Sequence, residues 1–291
     1  MGAEMTVQGQ QPDGFVENMP YEAYAAVKAI NFSQLRPMMR SPLAYRWAMD
    51  NPEPETDAQK IGTVVHRMIL EPNNLGELAV WGNLEDQKVR HGKVWNAFRE
   101  ENAGRTILTQ SEKEYVVQTT VAVRRNLLAR KYLAEDGPTE VSMFWHDANG
   151  VAFKGRIDKL IPSKHIMVNL KTTRSCQPWQ FGAQAYKLGY YMHEALYWDG
   201  YKILTGRSAK QKIVAFESRP PYEGAVYRIT PDVRLQGLQD LEVLLAKLAR
   251  CEKLNHWPAE MEQESDLVLP PYATPLESGV EDLALATDEG E

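Results

Sequence analysis

Short apolar runs separated by turn residues mark the middle of the chain. Residues 141–146 and 151–160 flank an Asp-Ala-Asn-Gly segment, which predicts a β-hairpin. A third strand is expected over residues 166–172, after a Pro-Ser-Lys turn. Because tight turns join them, these three strands should be antiparallel.

The next residues predict a helical crossover. Residues 179–198 contain no proline and many aromatic and aliphatic side chains, so we expect one long helix over the sheet. Such a crossover would place a fourth strand, residues 213–216, parallel to the third. A fifth strand is expected over residues 225–229, and the leucines of residues 235–248 predict a last amphipathic helix.

The N-terminal part is predicted to be helical. Residues 31–47 have near-helical apolar spacing that two prolines interrupt, which favours two short helices. Residues 61–70 are strongly apolar and predict a buried helix that contains His66. Central strands with helices before and after them indicate an α/β fold, with a mixed central sheet flanked by helices.

Composition suggests the limits of the domain. Residues 1–18 are polar and are expected to form a flexible arm, followed by a single domain over residues 19–272. Residues 273–291 carry six acids and no Lys or Arg, which predicts a disordered acidic tail. The tail accounts for the net charge of -6, so the neutral body can still hold a basic groove.

Cysteine usage and hydropathy exclude several classes of protein. Cys176 and Cys251 are too few for a disulfide framework or a four-cysteine zinc site, so free thiols are expected. No apolar run approaches the roughly 20 residues of a membrane span. The first twenty residues contain no Lys or Arg that would begin a signal peptide, and we expect a cytoplasmic protein without a membrane partner.

Two central strands carry residues suited to phosphodiester chemistry. Alternate side chains of a strand share a face, so Asn169 and Lys171 should point together while Leu170 faces the core. A turn near Ser163 would bring Asp158 beside them. Carboxylates hold Mg²⁺, and a lysine orients water and offsets developing charge. The same short pattern also occurs on solvated strand faces, and His66 taken alone fits a hydrogen-bonded core histidine.

Several ordered blocks resemble one family. Residues 62–72 read GTVVHRMILEP, residues 155–159 read GRIDK and residues 169–173 read NLKTT. These blocks resemble the G-T-x-x-H-x-x-x-L-E-P, x-x-D and D-x-K-T-T motifs of RecE/exodeoxyribonuclease VIII-type exonucleases, phage recombination enzymes of the PD-(D/E)XK superfamily. The resemblance covers roughly residues 30–272 and implies a restriction-endonuclease-like core.

The resemblance also implies an activity and a set of roles. It implies a Mg²⁺-dependent exonuclease, with Mn²⁺ as a substitute, that digests one strand of duplex DNA from 5′ to 3′ and leaves 3′ overhangs. By position, His66, Asp158 and Asn169 would hold metal, Leu170 would contribute its backbone carbonyl, and Lys171 would be the catalytic lysine.

Other positions match the family less closely. Glu140 at the start of the first central strand is either a catalytic acid or a strand-edge surface charge. The family's Gln-x-x-x-Tyr motif is His-Glu-Ala-Leu-Tyr here, so contact with DNA is expected more for Tyr197 than for His193. Core-facing positions in the helix are the alternative for both residues.

Asn169 is the main departure, because the family has Asp at this position. A neutral amide with a single carbonyl oxygen replaces a bridging carboxylate poorly. We therefore expect an impaired nuclease. Asn169 is either a natural loss of activity or a deliberate change that lets the protein hold metal and DNA without cleavage. The otherwise intact site favours the deliberate change. Asn169→Asp should raise Mg²⁺-dependent degradation of linear DNA.

A basic and aromatic cluster precedes the central strands. Its members are Lys88, Arg90, Lys93, Trp95, Phe98 and Arg99. The cations are expected to hold DNA phosphates while an aromatic ring stacks on an end base. A solvated helix face is the alternative.

The expected partners are duplex DNA ends, a RecT-like single-strand-annealing recombinase and further copies of the chain in a ring. Two alternative functions are a non-catalytic DNA-end-binding protein that recruits the recombinase, and an endonuclease of the same superfamily. Lys171 in register with Asp158 favours an enzyme over a pure binder. Cleavage of circular DNA would distinguish an endonuclease.

Overall fold

The computed structural model describes residues 12–54, 56–71, 78–82, 90–260, 264 and 266–268. The strands are β1 (Gly14–Val16), β2 (Leu78–Trp81), β3 (Thr106–Thr109), β4 (Thr139–His146), β5 (Ala152–Ile161), β6 (Ile166–Thr173), β7 (Lys210–Glu217) and β8 (Gly224–Arg228). The helices are α1 (Tyr21–Ala26), α2 (Phe32–Leu35), α3 (Pro42–Asp50), α4 (Asp57–Leu70), α5 (Lys93–Glu101), α6 (Gln110–Arg125), α7 (Leu127–Leu133), α8 (Pro178–Lys187), α9 (Tyr190–Thr205) and α10 (Pro231–Leu254). Short 3-10 turns cover Arg36–Met39 and Pro162–Lys164.

A six-stranded mixed sheet with the order β1-β4-β5-β6-β7-β8 forms the centre of the described chain. Strands β4, β5 and β6 pair antiparallel, whereas β6 and β7 pair parallel over their full length. The predicted hairpin, third strand and parallel fourth strand are therefore confirmed. Strands β2 and β3 form a separate parallel pair.

Helices cover both faces of the sheet. The side chains of β6 alternate, so Met167 joins the core under α9 and α10, whereas Val168 and Leu170 join the core under α4, α6 and α7. Helix α4 begins with a capping box at Thr56, whose hydroxyl accepts a hydrogen bond from the Gln59 amide. The α/β fold with a mixed sheet flanked by helices is as predicted.

The long helix expected over residues 179–198 is in fact two helices. Gly189 separates α8 from α9 and has a left-handed backbone with φ of 71°. A Cβ atom there would lie 2.6 Å from the ring of Phe32 and 2.9 Å from the sulfur of Met39. The prediction of one helix was wrong because neither the turn nor this close approach leaves a periodic signal.

Part of the segment expected to be a flexible arm, residues 1–18, belongs to the sheet. Residues 14–16 form β1, which pairs antiparallel with β4. The ring of Phe15 lies 5.7 Å from that of Tyr201 between centroids, and His146 Nδ1 lies 2.6 Å from Asp13. These contacts hold the end of the expected arm on the domain. Residues 1–11 and the expected acidic tail, residues 273–291, lie outside the described residues.

Cys176 and Cys251 are both buried free thiols, as expected. Among the described residues, the helices do not combine the length and apolar character that crossing a bilayer requires.

We predict that Gly189→Ala destabilises the protein. The left-handed backbone and the steric overlap with Phe32 and Met39 each cost about 1–3 kcal/mol. Gly182→Ala is the matched control, because Gly182 is exposed in α8 and no heavy atom lies within 4 Å of the position that an added methyl group would take. Urea unfolding should show a clear loss for Gly189→Ala and a gain of about 0.5–1 kcal/mol for Gly182→Ala. Equal effects would contradict the role assigned to Gly189.

Candidate metal centre

Strands β5 and β6 separate where their polar side chains meet. Their paired register ends at Lys159 opposite Val168. Beyond that pair, the Leu170 backbone N–H donates to Asp158 Oδ2 at 2.6 Å, and the Asp158 N–H donates to Asn169 Oδ1 at 3.3 Å. Side-chain oxygens therefore take the place of ladder carbonyls, which opens a polar gap in the sheet.

Three side chains from three elements converge beside this gap. His66 from α4, Glu140 from β4 and Asp158 from β5 offer one ligand atom each, and these atoms all lie within 4.8 Å of one another. His66 Nδ1 is 3.6 Å from Asp158 Oδ2. Their side chains keep 25%, 27% and 14% exposure respectively, so the cluster can be reached from solvent. An imidazole with two carboxylates fits a divalent cation such as Mg²⁺ or Mn²⁺.

Burial favours the neutral form of all three residues of the cluster. Burial, with a contribution from the charge of Lys171, lowers the pKa of His66 to about 4, so its ring is neutral at pH 7 and can act as a ligand. Burial and the neighbouring Asp158 raise the pKa of Glu140 to about 7. Burial also raises the pKa of Asp158, against the opposing effect of Lys171. A divalent cation would relieve the repulsion between the two acids.

Glu140 has an unusual backbone. Its φ is 49°, in the left-handed region that residues with a Cβ rarely occupy. The guanidinium of Arg156 donates to its carboxylate at 2.8 Å. Strain at a charged residue within a cluster is typical of functional positions. Of the two interpretations of Glu140, its position supports membership of the site over a strand-edge surface charge.

Lys171 lies between the cluster and the start of α9. Its ammonium is 5.2 Å from the centroid of the Tyr190 ring. Its positive charge lowers the pKa of His66, Asp158 and His193, so it acts on both sides of the gap. Asp158 and Lys171 are thus brought together as the strand pattern predicted.

Asn169 makes a contact that the sequence did not predict. Its Nδ2 donates to Glu194 Oε1 at 2.7 Å, and both residues are buried. Glu194 also accepts from Gln211 Nε2 at 3.0 Å, and its Oε1 lies 3.2 Å from His193 Nδ1. In the sequence, this contact could have been suspected from the presence of an acid within the largely apolar residues 192–196.

Tyr197 and His193 occupy different environments. Tyr197 is 6% exposed, and its hydroxyl accepts a hydrogen bond from the Arg156 N–H at 2.8 Å. Its ring covers Gly155, where a Cβ would lie 2.7 Å away. The core-facing alternative therefore describes Tyr197 better than contact with DNA. His193 remains beside the gap, with burial and Lys171 lowering its pKa.

Several side chains of the basic and aromatic cluster contact neighbouring residues of the protein. Arg90 pairs with Glu112 at 2.6 Å. Trp95 and Phe98 were expected to stack on DNA bases. Instead, their rings pack edge-on against Trp81 of β2, with ring centroids 5.0 and 5.1 Å apart respectively. Lys93 and Arg99 are exposed, in agreement with the solvated-face alternative, and Lys88 lies outside the described residues.

An open cleft lies at the end of β6. Its volume is about 820 Å³, and residues 172–174 at the end of β6 form one wall. Gly62 of α4 and Gln184 and Lys187 of α8 also line the cleft. Thr172, the residue after Lys171, lines this cleft, whereas Lys171 and the three residues of the metal cluster do not. Its charged lining residues are Arg174, Lys187 and the acid Glu112.

Solved structures provide one informative match. A protein from Eubacterium rectale, described as a "Putative exonuclease", is 14% identical, with 98% of this chain and 100% of that chain covered and a TM-score of 0.59. At this identity the match indicates a shared fold. SSO0001 also matches at 20% identity over 46% of this chain and 69% of that chain, with a TM-score of 0.26 that is too low to indicate one. No curated protein matches the sequence.

The match to a family covers most of the chain. Residues 31–266 match the family described as a PDDEXK-like domain of unknown function, DUF3799. That span contains every element from α2 to α10, and with them His66, Glu140, Asp158 and Lys171. The chain belongs to the DUF3799 family of PDDEXK-like domains.

Proposed function

We propose that this protein is a divalent-metal-dependent nuclease that hydrolyses phosphodiester bonds in DNA. The observation that carries the proposal is the cluster of His66, Glu140 and Asp158, within 4.8 Å of one another, beside Lys171. A neutral imidazole, two acids and one lysine are the groups that metal-assisted phosphodiester hydrolysis requires. Membership of a PDDEXK-like family supports the same chemistry.

Each side chain has a distinct task in this proposal. A divalent cation, when bound, would polarise the scissile phosphate and lower the pKa of water. His66 presents a neutral ring nitrogen, and Asp158 presents a carboxylate fixed by the Leu170 N–H. Arg156 holds Glu140 in place. Lys171 orients the attacking water and offsets the negative charge that develops on the phosphate oxygens.

We further propose an exonuclease that enters from duplex ends. The cleft beyond β6 is open and carries Arg174 and Lys187, which suits the phosphate backbone of DNA. The fold match to the Eubacterium rectale protein and the RecE-type motif blocks support this choice. The same motif blocks are the basis for proposing Mg²⁺ as cofactor, 5′ to 3′ digestion that leaves 3′ overhangs, a RecT-like annealing partner and a ring of subunits.

The test of this function is digestion of linear and covalently closed circular duplex DNA. With Mg²⁺ or Mn²⁺ we expect nucleotide release from the linear substrate, none with EDTA, and an intact circle. Asp158→Asn should lower the rate by roughly 100-fold or more, because the cluster loses a fixed charge. Cleavage of the circle would identify an endonuclease. Tight binding of ends without release under any divalent cation would identify a binding protein.

We predict that Lys171→Ala abolishes cleavage and leaves the affinity for DNA within about threefold, because the ammonium acts on the transition state. Lys212→Ala is the matched control. Lys212 lies on the adjacent strand β7, and its ammonium is likewise near an aromatic ring, 5.5 Å from the centroid of Tyr132. The control should cleave normally. An equal loss of binding and cleavage in Lys171→Ala would make Lys171 a phosphate anchor instead.

A further inference from the structure

Asn169 and Glu194 form a buried pair next to the metal cluster. Asn169 is 1% exposed and Glu194 is 0% exposed. The amide of Asn169 stands between the Glu194 carboxylate on α9 and the Asp158 backbone on β5, at 2.7 Å and 3.3 Å. The pair therefore connects one face of the sheet to the gap in which the cluster lies.

The orientation of the Asn169 amide is fixed by its neighbours. An ionised carboxylate can only accept a hydrogen bond, so the Nδ2 end must face Glu194. A backbone N–H can only donate, so the Oδ1 end must face Asp158. With the amide in the opposite orientation, both contacts would be unfavourable. The single carbonyl oxygen of Asn169 is thus directed to the strand that carries a cluster acid.

Glu194 also brings a negative charge into the interior. Its hydrogen-bond donors are the amides of Asn169 and Gln211, with His193 beside it. Among the described residues, no Lys or Arg lies within ion-pair distance of Glu194. Burying a carboxylate is costly when its partners are neutral, and a nearby cation offsets that cost.

We propose that Asn169 and Glu194 act together as one ligand position of the metal site, in which Asn169 offers its oxygen and Glu194 orients the amide and supplies the charge. Glu194 is a positioning residue, because it acts through Asn169. The inference rests on the proposed function, since the ligand is the divalent cation of that site. It replaces the expectation, drawn from Asn169 alone, that the site is impaired.

The hydrogen bond between Asn169 and Glu194 predicts the effect of Asn169→Asp. This substitution would place a second carboxylate against Glu194 at the site of the present 2.7 Å contact. Two carboxylates this close repel unless a proton or a cation lies between them. An aspartate at position 169 is therefore compatible with the site when residue 194 is neutral, and the two positions should show strong coupling.

A double-mutant cycle tests the inference, with Mn²⁺ affinity by calorimetry and the cleavage rate as readouts. Glu194→Gln should weaken Mn²⁺ binding about 10- to 100-fold, as loss of an orienting partner of a ligand does. The combination of Glu194→Gln with Asn169→Asp should return the affinity to within a few-fold of wild type. Asp240→Asn is the control: Asp240 accepts from Tyr191 of α9 at 2.6 Å, and its isosteric change should leave the affinity unaltered.

The outcomes are distinct. Unchanged Mn²⁺ affinity in Glu194→Gln, or the same loss in the wild-type and the Asn169→Asp backgrounds, would overturn the inference while the proposed function stands. Wild-type protein that neither binds Mn²⁺ nor cleaves DNA would overturn both. If Glu194→Gln does not fold, Asn169→Asp alone tests the inference. Without metal, this variant should have a lower melting temperature than wild type, and Mn²⁺ should restore the melting temperature. An unchanged melting temperature without metal would overturn the inference.

Discussion

The hydrogen bond between the Leu170 N–H and the Asp158 carboxylate, 2.6 Å long, is the contact on which the candidate site depends. It satisfies a buried backbone donor at the point where β5 and β6 stop pairing. A continuous ladder would leave no space between these strands. Because the Asp158 carboxylate takes the place of a backbone carbonyl, β5 and β6 can separate at the centre of the sheet while the Leu170 N–H stays hydrogen-bonded.

Both faces of the sheet then contribute to the opening. Helix α4 brings His66 from one face, whereas α9 brings Glu194 from the other and β4 supplies Glu140 at the rim. Burial pushes His66 and Glu140 toward their neutral forms, which is visible in the lowered pKa of His66 and the raised pKa of Glu140. A divalent cation reverses this tendency for the acids and matches the neutral imidazole. The two close, partly buried acids of the cluster would therefore be stabilised by the divalent cation that we propose as cofactor.

Much of this arrangement follows from sequence pattern, because strand alternation and tight turns are local properties. They predicted the β4–β6 meander, the parallel β7 and the proximity of Asp158 to Lys171. The break at Gly189 and the pairing of Asn169 with Glu194 were not predictable in this way. Both depend on how α9 is rotated against the sheet, and that rotation is set by contacts distant in sequence. The packing of Trp95 and Phe98 of α5 on Trp81 of β2 was missed because it is a tertiary contact that local periodicity does not predict.

Anomalous diffraction from crystals of the wild-type protein soaked in Mn²⁺ would test the central claim most directly. The account predicts one strong peak at about 2.1 Å from a ring nitrogen of His66 and from the carboxylate of Asp158. The Asn169 oxygen should face that peak, with its amide nitrogen still donating to Glu194. A peak confined to other parts of the surface, or an Asp158 carboxylate that remains without metal at saturating Mn²⁺, would contradict it.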